Sequence, residues 1–126
     1  MSYDLLIVDD STIIRKSLKK TLGMTPFEFS NIYEAENGEK AIASLERNKV
    51  DIVFLDINMP IMNGIEFMAA ANEQKLLEGK HVVVLSTEGS EIRREQLKEL
   101  GVQAQLRKPA RPESVIEIIS TIVEGE

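Results

Sequence analysis

Val50-Asp51-Ile52-Val53-Phe54-Leu55-Asp56-Ile57-Asn58-Met59-Pro60 decides how this chain is read. Ile52 to Leu55 is an unbroken apolar run, too short for a helix of its own and without the alternation of a half-exposed strand, so it predicts a strand buried on both faces. Asn58, Pro60 and Asn63-Gly64 then stop the strand and turn the chain into a helix. Asp56 therefore stands at the mouth of a buried strand. A single acid there is explained well enough as a turn residue or helix cap, so its meaning depends on what the other strands carry to the same edge.

Outward from this run the pattern repeats. Leu5-Leu6-Ile7-Val8 is a second continuous apolar strand ending in acid, Asp9-Asp10, and Ser11-Thr12 opens a helix with Ile14, Leu18 and Leu22 inward, Ile13 widening the stripe. Arg15, Lys16, Lys19 and Lys20 are expected on its wet side, and Gly23 at its end. A strand near Ser30 to Glu36 mixes polar and apolar residues, as an edge strand does, and Asn37-Gly38 leads into a helix with Ala41, Ile42 and Leu45 inward. Asn63 is placed to cap the next helix, with Ile65, Met68 and Ala69 on one face.

Val82 to Leu85 is again continuously apolar and ends at Ser86 and a small polar loop. The helix that follows has a narrow stripe of Ile92, Leu97 and Leu100, with Gly101 at its C-terminus. The segment Val102 to Arg107 alternates, which suits an edge strand, and ends at Lys108-Pro109. A last helix from Pro112 carries Val115, Ile116, Ile118, Ile119, Ile122 and Val123 over a broad apolar arc. Five strands alternating with five helices predict an α/β fold with a parallel sheet covered on both faces. The three continuous strands belong at the centre and the two mixed ones at the edges, hence a doubly wound sheet of order 2-1-3-4-5 over one domain, residues 1–126.

Composition narrows the function. A net charge of −6 with scattered Lys and Arg disfavours nucleic-acid binding, and the absence of cysteine removes disulfides, thiolate zinc sites and a thiol nucleophile. Apolar runs are too short to cross a membrane and the N-terminus lacks a signal-peptide layout, so a cytoplasmic protein without membrane insertion is expected. His81, the only histidine, opens the fourth strand at the end away from the acids.

In the 2-1-3-4-5 order Asp9 and Asp10, Asp56, Ser86 and Lys108 all leave their strands at one edge of the sheet. Each has a bland reading: Asp10 as a cap, Ser86 as a turn hydroxyl, Lys108 as a surface charge at a bend. Together they bring three carboxylates to the point where the strand order reverses, which calls for raised pKa values or a cation. Oxygen-only ligands select a hard ion, with Mg²⁺ first and Mn²⁺ as an alternative.

These residues, in this order and on these elements, resemble the receiver domains of two-component response regulators. The similarity runs from Leu5 to about Val123 and rests on Asp9-Asp10, Leu55 to Pro60, Asn63-Gly64, Ser86 and Lys108-Pro109. It implies a flavodoxin-like receiver fold, a phosphate acceptor at Asp56, and Mg²⁺ held by Asp10, Asp56 and the carbonyl of Asn58, with Asp9 on the metal's waters. It also implies that Ser86 and Lys108 contact the phosphoryl group and that the Lys108-Pro109 bond is cis. Three positions depart from the family's habit: Thr87 in place of a smaller residue, Gln105 in place of a switching aromatic, and Ala110 in place of an aromatic after Lys-Pro.

The implied function is that of a single-domain response regulator, not a turnover enzyme. It would take its phosphoryl group from a sensor histidine kinase or phosphotransfer protein. It would signal to a separate protein on the face of the fourth helix, fifth strand and fifth helix, as a monomer or weak dimer. A chemotaxis-type output, a phosphorelay intermediate and a phosphate sink are three forms of that reading. An aspartate-nucleophile phosphohydrolase is the competing class, but those enzymes are similar to one another in an Asp-x-Asp pair after an early strand, whereas Asp9 and Asp10 are contiguous.

Overall fold

The computed structural model describes residues 2–86 and 94–124. The elements alternate: β1 (Ser2–Val8), α1 (Thr12–Gly23), β2 (Glu28–Ala35), α2 (Gly38–Arg47), β3 (Ile52–Asp56), α3 (Gly64–Glu73), β4 (His81–Ser86), α4 (Arg94–Glu99), β5 (Ala104–Arg107) and α5 (Pro112–Glu124). All strand pairs are parallel and the order is β2-β1-β3-β4-β5, as the strand compositions predict.

Strand alternation divides the core in two. Leu6, Val8, Val53, Leu55, Val82 and Val84 face α2, α3 and α4, where Ala41, Leu45, Phe67, Met68 and Leu97 meet them. Leu5, Ile7, Ile52, Phe54, Val83, Leu85 and Leu106 face the other way, against Leu18 and Leu22 of α1 and Val115, Ile119 and Ile122 of α5. Because successive strand residues feed opposite layers, no polar position is available inside β1, β3 or β4, and their polar residues are forced to the ends.

Two helices differ from the expected stripes. In α1, Ile13 is 78% exposed, and the residue that joins Leu18 and Leu22 in burial is Thr21. Ser11 caps that helix, its side chain accepting from the Ile14 N–H. In α3, Ala69 is exposed while Phe67 and Ala71 are buried beside Met68. Asn63 does cap α3, in a reciprocal pair with Glu66: each side chain accepts from the other's backbone N–H. Ile92 and Thr87 lie outside the described residues. No helix among the described residues is long and apolar enough to cross a membrane.

Candidate phosphoryl-transfer site

Register carries the polar residues to one edge. Val8 pairs with Leu55, so Asp9 and Asp56 leave neighbouring strands at one level; Asp56 pairs with Leu85, one residue before Ser86, and Ser86 pairs with Arg107, one residue before Lys108. The Lys108 N–H donates to the Ser86 carbonyl at 2.8 Å, and the Lys108-Pro109 peptide is cis. Carboxylate oxygens of Asp9, Asp10 and Asp56 lie within 4.8 Å of one another. The strand ends thus bring together the three acids, Ser86 and Lys108.

The three acids differ in setting. Asp9 is 1% exposed and its N–H donates to the Ala35 carbonyl, which anchors the turn to β2. Its Oδ1 accepts from the Ser11 N–H at 2.9 Å. Its Oδ2 is buried and meets the Lys108 ammonium in a charge-assisted contact at 2.7 Å. Asp10 is exposed, beside a buried Asp56 whose Oδ1 accepts from Lys108 Nζ at 3.1 Å. Burial, and then the charge of Asp9, hold the Asp56 carboxyl above the ordinary aspartate range despite the lysine. Burial alone would lower the pKa of Lys108, but its bonds to Asp9 and Asp56 outweigh that and raise it.

One ammonium therefore faces two carboxylates, with a third, Asp10, grouped beside them. Three carboxylates grouped at one edge, two buried and Asp10 open to solvent, make an all-oxygen donor set that fits a hard divalent cation. Asn58 is exposed on the loop just past Asp56.

That loop is shaped from both sides. The Gly64 N–H donates to the Ile57 carbonyl at 2.8 Å, and a Cβ on Gly64 would lie 2.6 Å from the Asp56 carbonyl oxygen. The Gly38 N–H donates to the Met62 carbonyl, and a Cβ there would lie 2.5 Å from Met62 Cγ. Between them Ile61 takes φ +67° in a tight turn, with Met62 N–H donating to the Pro60 carbonyl at 2.7 Å. Asn37-Gly38 reads in the sequence only as a turn before α2, so the packing of Gly38 on this loop was missed.

Arg15 is another residue that sequence reasoning misplaced. Expected in solvent, its side chain is 14% exposed, its Nη1 donates to the Asp9 carbonyl at 2.6 Å and its Nε to Glu34 at 3.0 Å. The signal lay in a pair 19 residues apart, which helical periodicity does not reveal.

A family profile described as "Response regulator receiver domain" matches residues 5–120. The chain is 32% identical over 123 residues to the chemotaxis protein CheY of Halobacterium salinarum, covering 98% of each. It is also 30% identical to the transcriptional regulatory protein DegU of Brevibacillus brevis, of which it spans 50%. Among solved structures, the chemotaxis protein CheY4 of Vibrio cholerae superposes with a TM-score of 0.83 at 30% identity, covering 97% of this chain and 99% of that one. With the strand order, the clustered acids and this match along nearly its whole length, the chain belongs to the family of response regulator receiver domains.

Proposed function

We propose that the protein accepts a phosphoryl group on Asp56 from a phosphohistidine of a sensor histidine kinase or phosphotransfer protein, and passes the signal to a separate protein through a change of conformation. The observation that carries this reading is the Asp56 carboxylate at the sheet edge, 3.1 Å from Lys108 Nζ and grouped with Asp9 and Asp10. An Asp56 oxygen attacks phosphorus, a P–O bond forms as the donor's P–N bond breaks, and the electron pair leaves with the imidazole. Transfer of this kind is mostly positioning and charge neutralisation. Lys108, already aimed at Asp56, meets the phosphoryl oxygens, and the Ser86 hydroxyl at the end of β4 hydrogen-bonds to one of them. Asp10, Asp56 and the Asn58 carbonyl would hold Mg²⁺, or Mn²⁺ in its place, with Asp9 on its waters. Bound there, the ion neutralises charge on the transferring group.

The downstream partner is placed on the face of α4, β5 and α5. Supporting this, an open groove of ≈ 480 Å³ runs from Lys108 and Pro109 along Gln105, Arg107 and Ile118, and a second of ≈ 310 Å³ lies between Lys98 and Gln105. Gln105 borders both, so a movement of Lys108 and β5 reaches either groove. The whole chain, residues 1–126, is assigned to one receiver domain in the cytoplasm, acting as a monomer or weak dimer.

Incubation with a small-molecule phosphodonor and Mg²⁺ should label the protein once, at Asp56. Label that survives Asp56→Ala would refute the acceptor assignment. Many rounds of turnover on a generic phosphate ester would point instead to a phosphohydrolase.

A further inference from the structure

Arg15 and Glu34 form a connection that the phosphoryl chemistry does not use. Glu34 lies on edge strand β2, paired in register with Ile7, and projects toward the layer of α1. Its two oxygens are taken separately: Oε1 by Arg15 Nε at 3.0 Å and Oε2 by Lys19 Nζ at 3.3 Å. Nη1 of the guanidinium reaches the Asp9 carbonyl at 2.6 Å, and Nη2 the Thr12 hydroxyl at 3.3 Å. A planar fork thus ties an edge strand, the acidic turn and the first residue of α1 to one another. A lysine has no such geometry.

We propose that Arg15, itself held by Glu34, is a positioning residue for the Asp9-Asp10 turn, fixing the backbone from which both carboxylates are presented to the cation. The inference rests on the reading of this site as a Mg²⁺-dependent phosphoryl acceptor. The bonds of Arg15 go to Glu34, the Thr12 hydroxyl and the main-chain carbonyl of Asp9, and not to the carboxylates of Asp9, Asp10 or Asp56. Arg15 grips the main-chain carbonyl of Asp9, the residue whose side chain meets the Ser11 N–H through Oδ1 and the Lys108 ammonium through Oδ2, so the backbone held by Arg15 sets where that carboxylate is presented. Groups that orient metal-binding residues in this way commonly change metal affinity by about 10- to 100-fold when removed.

Electrostatics alone makes the opposite prediction. A guanidinium close to the site repels a cation, so a purely electrostatic Arg15 would weaken Mg²⁺ binding and its removal would tighten it. The sign of the change therefore separates positioning from charge. Lys19 provides an internal control: it pairs with the same carboxylate but makes no bond to the acidic turn, and its side chain is 43% exposed.

The test is calorimetric titration of Mg²⁺ into wild-type, Arg15→Gln, Glu34→Gln and Lys19→Ala proteins, each checked for a cooperative melt. Arg15→Gln is expected to weaken Mg²⁺ affinity by about tenfold. Glu34→Gln, which keeps the guanidinium and loosens its support, should shift affinity the same way by less, and it carries the test if Arg15→Gln does not fold. Lys19→Ala should stay within about twofold of wild type, as expected of an exposed pair. In labelling with a small-molecule phosphodonor, Arg15→Gln should raise the Mg²⁺ concentration for half-maximal rate and leave the rate at saturating Mg²⁺ within about twofold, since Asp56, Ser86 and Lys108 are untouched. Unchanged or tighter Mg²⁺ binding in folded Arg15→Gln, or in Glu34→Gln where Arg15→Gln does not fold, overturns the inference. Wild-type protein that takes up no Mg²⁺ overturns the phosphoryl-acceptor reading itself.

Discussion

At the scale of single residues, Asp56 has a poor environment for a carboxylate until something neutralises its neighbours. Its pKa in the folded protein is raised by burial and by Asp9, so the folded state holds that proton to higher pH than the unfolded chain does. Ionisation of Asp56 therefore costs stability, a cost that begins as pH rises from about 4 and is complete above the folded pKa. Lys108 has the opposite sense at the other end of the scale: its contribution is present below the unfolded lysine value and is lost only as pH rises through its raised folded pKa. Between those limits, metal-free Asp56→Asn protein should be more stable than wild type, by a margin that widens from pH 4 toward neutrality. Thermal melts in chelator across that range check it, and a pH-independent margin would mean that Asp56 is not the strained group. Gly64 offers a steric counterpart. A methyl group there meets the Asp56 carbonyl at 2.6 Å and the Ile57 Cα at 2.8 Å, both of them backbone. Gly64→Ala should cost about 1–3 kcal/mol, as overpacking does, and weaken metal binding by displacing the acid's own backbone. Denaturant unfolding together with Mg²⁺ titration measures both effects.

At the scale of elements, α1 shows how a helix can be recognised and its face still misassigned. Ile14, Leu18 and Leu22 recur at four-residue steps, and Ile13 lies close enough on the wheel to join them. The sheet in fact receives Leu18, Thr21 and Leu22, and Ile13 is left 78% exposed. Leu18→Ala is accordingly expected to cost about 2–5 kcal/mol. Ile13→Ser should remain within about 0.5 kcal/mol of wild type. Equilibrium unfolding of the two variants distinguishes the observed face from the one the periodicity suggests. The same rotation brings Thr21 to the β5–α5 connection, where its hydroxyl donates to the Ala110 carbonyl at 3.3 Å. It also draws Arg15 out of solvent and onto Asp9 and Glu34. In α3 the misassignment has another cause: Ala69 and Ala71 are chemically identical, and only the layer above the sheet decides which of them is covered.

At the scale of the whole molecule, the site lies at the carboxyl edge of a rigid centre and the proposed output face at one side of the sheet. β1, β3 and β4 are covered in both layers, whereas β5 is four residues long and pairs with β4 alone. Lys108 continues directly from β5, so whatever pulls on its ammonium pulls on the least anchored strand. A phosphoryl mimic with Mg²⁺ should therefore change hydrogen exchange around Gln105 and across Leu97 to Leu100, with a coupling of about 1 kcal/mol. Changes confined to the Asp9, Asp56 and Lys108 loops would leave the phosphate chemistry and remove the switch.

Local pattern alone determined the alternation of strands and helices, the central and edge strands, the cap at Asn63 and the acids at the strand ends. Each of these follows from a run of a few residues: continuous apolar residues demand burial on both faces, and a carboxylate that closes such a run has nowhere to go but the edge. Tertiary structure decided what depends on the rotation and spacing of packed elements. It set which flank of α1 is buried, placed Gly38 against Met62, aimed Arg15 at the Asp9 carbonyl, and brought the Lys108 ammonium to Asp9 Oδ2. Those contacts join residues from different elements, whose meeting depends on how a helix rolls on a sheet, and no periodicity within one segment encodes that angle.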